Sequence, residues 1–198
     1  MKLIAAYASN SGDSGLKCLV WPDSAIIRSG KPVFLPEDTS VHIHLGIGAL
    51  IKSVGKSIEP KFALRYYDNV APMAFLLQEG VSDKIAQCSD PLASDIVADY
   101  SIVEGNSFET IDLAQDIMIK ATVKSLRNPK EPEHEKYFVQ RDWKTRLGEA
   151  ISVASRRNTL KTGDIVAILG SDRIDAEFDT LIRIATTSGS ILIETKIK

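Results

Sequence analysis

Residues 180–198, TLIRIATTSGSILIETKIK, form two runs of alternating apolar residues around Ser188-Gly189. Alternation with a period of two is what a pleated strand imposes, and a Ser-Gly pair between two such runs favours a hairpin turn. Upstream, TLKTGDIVAIL (159–169) sets a Thr162-Gly163-Asp164 turn before another strand. Ile117, Ile119, Ala121 and Val123 alternate with Met118, Lys120, Thr122 and Lys124, the pattern of a half-buried strand. In VHIHLGIGALIK (41–52), β-branched content and alternation again predict a strand, with His42 and His44 on one face and Val41, Ile43, Leu45 and Ile47 on the other. KLIAAYA (2–8) reads as a strand running into the polar Ser9–Gly15 cluster, and KPVFLPED (31–38) as an edge strand or its lead-in, flanked by prolines.

Helical periodicity is expected in two places. Ser57 can cap a helix that tolerates Pro60 in its first turn and carries Phe62, Ala63, Tyr66 and Tyr67 at helical spacing. After Asp142 as a cap, Trp143, Leu147, Ala150, Ile151 and Ala154 form one apolar stripe. Between them NPKEPEHE (128–135) is an exposed loop, and Trp21 and Trp143 read as core or interface residues. The expected class is α+β, mostly β, as one domain over 1–198 whose segment 1–40 packs as strand and loop on the core.

Composition narrows the partners. The chain has 198 residues, 24 basic against 26 acidic side chains and a net charge of −2, which excludes a strongly basic nucleic-acid surface. Its two cysteines, Cys18 and Cys88, make no disulfide framework and point to a reducing compartment. No run approaches the roughly 20 apolar residues of a membrane helix. The apolar run Leu3–Ala8 is also shorter than the roughly 7–15 residues of a signal-peptide core. The expectation is a cytoplasmic protein with neither nucleic acid nor membrane as partner.

Four segments in order, VGKSIEPKFALRYYD (54–68), IAQCSDPLA (85–93), AISVASRRNTLKTGDIVAI (150–168) and ILIETKIK (191–198), resemble the fumarylacetoacetate hydrolase family. The likeness is to its short bacterial members that act as hydratases or isomerases of 2-oxo and 2-hydroxydienoic acids. The resemblance implies a mixed β-sheet roll with a few helices, a homodimer and a small oxo-acid ligand. It also implies magnesium or manganese held by three carboxylates. Two come from a glutamate–any–glutamate strand before the Gly-Lys segment, and the third is an aspartate after the Tyr-Tyr helix. Such a metal acts as a Lewis acid on an enolate.

Aligned through Gly55-Lys56, the first two ligand positions fall on His44 and Gly46, and the third near Ala74 or Phe75. The family's lysine before a Phe-Asp pair becomes Gln87, followed by Cys88 and Ser89, with Asp90 retaining the acid; its Thr-Gly-Thr-Pro turn becomes Ile168-Leu169-Gly170-Ser171. A hard divalent ion needs anionic oxygens, which a histidine and a glycine do not supply. The expectation is therefore no metal and no cofactor, magnesium or manganese returning only if the family chemistry survives. The leading function is a non-catalytic binding or assembly protein. Filling of the ancestral pocket by Phe75, Leu76 or Ile168 would argue for it.

The rival expectation is a working hydrolase, isomerase or decarboxylase on an acylpyruvate-like acid through a relocated site. Its candidate residues are His42, Gln87 and Asp90: either His42 and His44 with zinc, copper or nickel, or a metal-free pair of Asp90 and Asp172. Against the metal stands the simpler reading, in which two histidines alternate on a partly exposed strand with nothing bound. A third reading is a scaffold that joins a larger complex through an exposed strand edge. The remaining motifs have plain readings: SNSGDSG (9–15) is a surface loop, Gly46 and Gly48 mark a bulge or a close backbone approach, and Cys88 is a buried or inert thiol. Arg156, Arg157 and Lys161 stabilise a helix C-terminus or line an anion pocket.

Overall fold

The computed structural model describes residues 1–9, 15–35, 41–87, 99–106, 108–109 and 117–198. Strand periodicity dominates, as the alternating segments require. The strands are β1 (Lys2–Ala8), β2 (Leu16–Pro22), β3 (Ile26–Arg28), β4 (Val41–Ile51), β5 (Tyr67–Gln78), β6 (Ile102–Glu104), β7 (Phe108–Glu109), β8 (Ile117–Ser125), β9 (His134–Gln140), β10 (Ile165–Ala176), β11 (Thr180–Thr186) and β12 (Ile191–Ile197). Two α-helices, α1 (Glu79–Ala86) and α2 (Trp143–Arg157), complete the described elements together with short 3-10 turns. The class is α+β, mostly β.

The larger sheet runs β2-β1-β10-β4-β5-β6-β3 with β7 added to β5, and the smaller runs β12-β11-β8-β9. The β11–β12 hairpin and the turn before β10 are the turns anticipated around Gly189 and Gly163, whose φ values of +91° and +88° fall where glycine alone is unstrained. One face of β4 serves two cores. Val41, Ile43 and Leu45 pack against Ile119, Ala121, Val123, Ile182 and Ile184 of the smaller sheet. Further along, Ile47, Ala49 and Ile51 meet the α2 stripe of Trp143, Leu147, Ala150, Ile151 and Ala154. On the opposite side of the larger sheet, Leu3, Ala5, Trp21, Met73, Phe75 and Leu77 form a third cluster. Both tryptophans are core residues.

Several local expectations are corrected. The predicted helix over 57–67 is only a 3-10 helix, Pro60–Arg65, preceded by Glu59 as its cap, and Tyr67 already opens β5. Ser57 sits at φ 53°, outside the extended geometry an N-cap adopts. Asp142 does occupy the N-cap of α2, but at φ 46° its side chain makes no capping bond; its carbonyl accepts the Arg146 N–H at 3.0 Å. Helix α1 carries no strong sequence signature. In the described part of KPVFLPED, 31–35, Val33 makes an isolated bridge to Ile197 and no strand is formed. Residues 10–14 of the polar loop, 36–38 of KPVFLPED, and Cys88, Ser89 and Asp90 lie outside the described residues.

Candidate functional site

The site expected from sequence centres on β4. Cross-strand pairing sets His44 opposite Phe75 on β5 and opposite Arg173 on β10, and His42 opposite Leu77 and Asp175. Directly opposed residues share a sheet face, so His42, His44, Gly46, Phe75, Arg173 and Asp175 lie on one side. Ala74 pairs with Leu45 and belongs to the core on the other side. Of the two positions offered for the third ligand, the pairing therefore selects Phe75.

His44 is 0% exposed, not half-exposed as strand alternation suggested. A shift of register between Leu169 and Arg173 bulges β10 and brings the Gly170 carbonyl 2.9 Å from His44 Nδ1. A carbonyl oxygen only accepts, so Nδ1 carries the proton. Burial, with a smaller push from the Arg173 charge, lowers the His44 pKa to about 4 against the pull of the Gly170 bond, and the ring is neutral at pH 7. Nε2 then accepts the Ser82 hydroxyl at 2.8 Å, and Ser82 Oγ accepts Arg173 Nη1 at 2.9 Å. Arg173 Nη1 also donates to Asp83 Oδ1 at 2.5 Å. The result is a directional chain from Gly170 through His44, Ser82 and Arg173 to Asp83, tying α1 to the bulge of β10. His42 stands beside it, its Nδ1 2.6 Å from Oδ1 of Asp175, whose side chain is 81% exposed.

The positions implied to hold a divalent metal do not fit one. A Cβ at Gly46 would run into the Ile168 carbonyl oxygen and stand 3.0 Å from Phe75 Cε2. Phe75 is 0% exposed and packs its ring against Trp21 at 5.7 Å between centroids. Neither residue carries an oxygen ligand, and both His44 nitrogens are committed to internal bonds, which also removes it from a His-x-His transition-metal pair. No group of three or more His, Cys, Asp or Glu side chains could hold a metal ion among the described residues. Of the expected fillers, only Phe75 is on this face; Leu76 belongs to the inter-sheet core and Ile168 to the α2 core.

The other candidates are scattered. Gln87 follows α1, exposed, its backbone N–H bonded to the Asp83 carbonyl at 2.9 Å. Asp172 is exposed in the β10 bulge, and its expected partner Asp90 lies outside the described residues. Burial pushes the Cys18 thiol up to about 11, which makes it a poor nucleophile. Arg156 and Arg157 do fall in the last turn of α2. Ser82 and Arg173 carry no signal in the sequence, and Gly170 enters it only as a position of the Ile168–Ser171 turn, because their partners lie far along the chain, 126 residues in the case of His44 and Gly170. A cleft of about 500 Å³ opens nearby, between β9 and the C-terminal half of β10.

A curved mixed sheet packed against a smaller antiparallel sheet, with β4 and β5 at the centre, defines the class: this chain has the fumarylacetoacetate hydrolase fold. A protein from Yersinia pestis CO92 assigned to that family matches 100% of this chain and 92% of its own, at TM-score 0.78 and 20% identity. The fumarylpyruvate hydrolase of Pseudomonas aeruginosa, solved with Mn2+ and pyruvate, matches 99% and 88% at TM-score 0.72 and 15% identity. The 5-carboxymethyl-2-hydroxymuconate delta-isomerase of Mycobacterium smegmatis matches 99% and 76% at TM-score 0.70 and 18% identity. No protein-family model matches the chain, and no curated protein matches its sequence. At these identities the shared property is the fold. Among the described residues no helix is long and apolar enough to cross a membrane.

Proposed function

We propose that this chain keeps the fumarylacetoacetate hydrolase fold without its divalent-metal chemistry and works as a non-catalytic binding or assembly protein, a cytoplasmic homodimer. The observation that carries this reading is the Gly46–Phe75 contact. Where the resemblance calls for carboxylates, a backbone carbonyl and a buried aromatic ring leave no space and offer no charge. The neutral His44, spent on Gly170 and Ser82, supports it from the second position. Turnover of acylpyruvates with magnesium or manganese supplied is the direct test. The expected rate equals that of the protein-free solution, and a metal-stimulated rate would contradict the proposal. Light scattering on a sizing column tests the assembly, with twice the chain mass expected.

A second reading has one specific observation in its favour. His42 and Asp175 form a close imidazole–carboxylate pair at the surface, the geometry of an oriented general base. In that case activity on a small oxo-acid would be metal-independent and would vanish in His42→Ala.

A further inference from the structure

The smaller sheet buries one face against β4 and leaves the other uncovered among the described residues. Strand register places what stands on that outer face. Met118 of β8 lies opposite Val139 of β9, Lys120 lies opposite Tyr137 and Ala185, and Ala185 lies opposite Ile191. Directly opposed residues share a sheet face, while their neighbours Ile119, Phe138 and Ile184 point into the inter-sheet core. Met118, Tyr137, Val139 and Ile191 are each between 44% and 55% exposed. Single exposed apolar residues are ordinary, but a group of them side by side on one sheet face marks an interaction surface. Lys120 stands within the group, its ammonium paired with Glu135 at 2.6 Å.

The charges of this face decide its partner. Lys120 and Lys124 stand on β8, and Glu135 stands on the edge strand β9 with Glu133 just before it. The pairs Lys120–Glu135 and Lys124–Glu133 close at 2.6 and 3.0 Å. With the signs balanced, a strongly acidic or strongly basic partner gains nothing here. A second copy does. Turned over about a two-fold axis between β8 and β9, it sets the acidic row of each chain on the basic row of the other and brings the apolar groups together. We propose that the outer face of the smaller sheet is the surface by which two copies of this chain associate, with Met118, Tyr137 and Val139 at its centre. An apolar centre inside a charged rim is the usual anatomy of such a contact, and a tyrosine is a common anchor. The inference rests on the reading of the chain as a homodimer and adds the face that makes it.

Light scattering on a sizing column, run over a dilution series, tests it with Tyr137→Ala and Met118→Glu. The unmodified chain is expected at twice the chain mass. Tyr137→Ala should raise the dissociation constant about thirtyfold, the effect of one lost anchor, and Met118→Glu should give the single chain mass. Both positions are exposed, so the far-ultraviolet circular dichroism of both variants should remain that of the folded chain. Leu64→Glu, on the exposed side of the 3-10 segment, is the control and should stay dimeric. Unchanged dissociation in Tyr137→Ala and Met118→Glu, or dissociation by Leu64→Glu alone, would overturn the inference and leave the homodimer reading intact. A single chain mass for the unmodified chain at every concentration would overturn both.

Discussion

His44 Nε2 accepts the hydroxyl of Ser82 at 2.8 Å, and both groups are fully buried. That bond joins the central strand β4 to helix α1, and Ser82 passes the link to Arg173. Removing the hydroxyl leaves a buried ring nitrogen without a donor and the guanidinium with one fewer acceptor. Ser82→Ala should therefore destabilise the fold by about 1–3 kcal/mol. Urea unfolding measures it; an unchanged midpoint would show that the bond contributes nothing.

The depressed pKa of His44 makes stability pH-dependent. In the folded state burial holds it down at about 4, against about 6.5 for an exposed histidine. Below 6.5 the unfolded chain binds a proton that the folded chain refuses, so stability is full above that value and falls as pH drops toward 4. Between pH 7.5 and 5 the loss is on the order of 2 kcal/mol. His44→Gln should flatten the dependence, as read from denaturation midpoints at the two pH values.

Tyr67 is buried in the α2 core, and its hydroxyl makes no hydrogen bond among the described residues. Burial pushes its pKa up to about 12. An orphaned hydroxyl weakens a core, so Tyr67→Phe should be neutral or stabilising by up to about 1 kcal/mol. A fall in melting temperature would mean the hydroxyl has a partner.

Restoring a carboxylate alone should not restore a metal site. Gly46→Glu would thrust its Cβ against the Ile168 carbonyl, which belongs to a paired strand and cannot swing aside as a side chain can. Overpacking of this kind costs about 1–3 kcal/mol or more. The expected outcome is a lowered melting temperature that added magnesium does not raise.

Where local pattern and global fold agree, the sequence was readable. Strands β8 and β11 show clean alternation because each buries one face, whereas β12 alternates only from Ile193 on, Leu192 beside it being buried as well. The α2 stripe is legible because one continuous core, from Ile47 to Leu160, covers it. Helix α1 is not legible in the sequence because it is eight residues long and its anchors, Ser82 and Asp83, bond to Arg173 some 90 residues onward. The 3-10 segment reads as an α-helix in sequence since six residues at helical spacing look alike in either helix. At the site, alternation put His42 and His44 on one face correctly. It gave no warning that His44 is sealed in, because Phe75 and the β10 bulge that cover it come from other strands. Nor does spacing alone choose between Ala74 and Phe75; strand register does.

Calorimetric titration with magnesium and with manganese tests the proposed loss of the divalent-metal site. No binding tighter than about millimolar, or roughly 4 kcal/mol, is predicted. Stoichiometric micromolar binding of either ion, abolished by a substitution at His42 or His44, would contradict it.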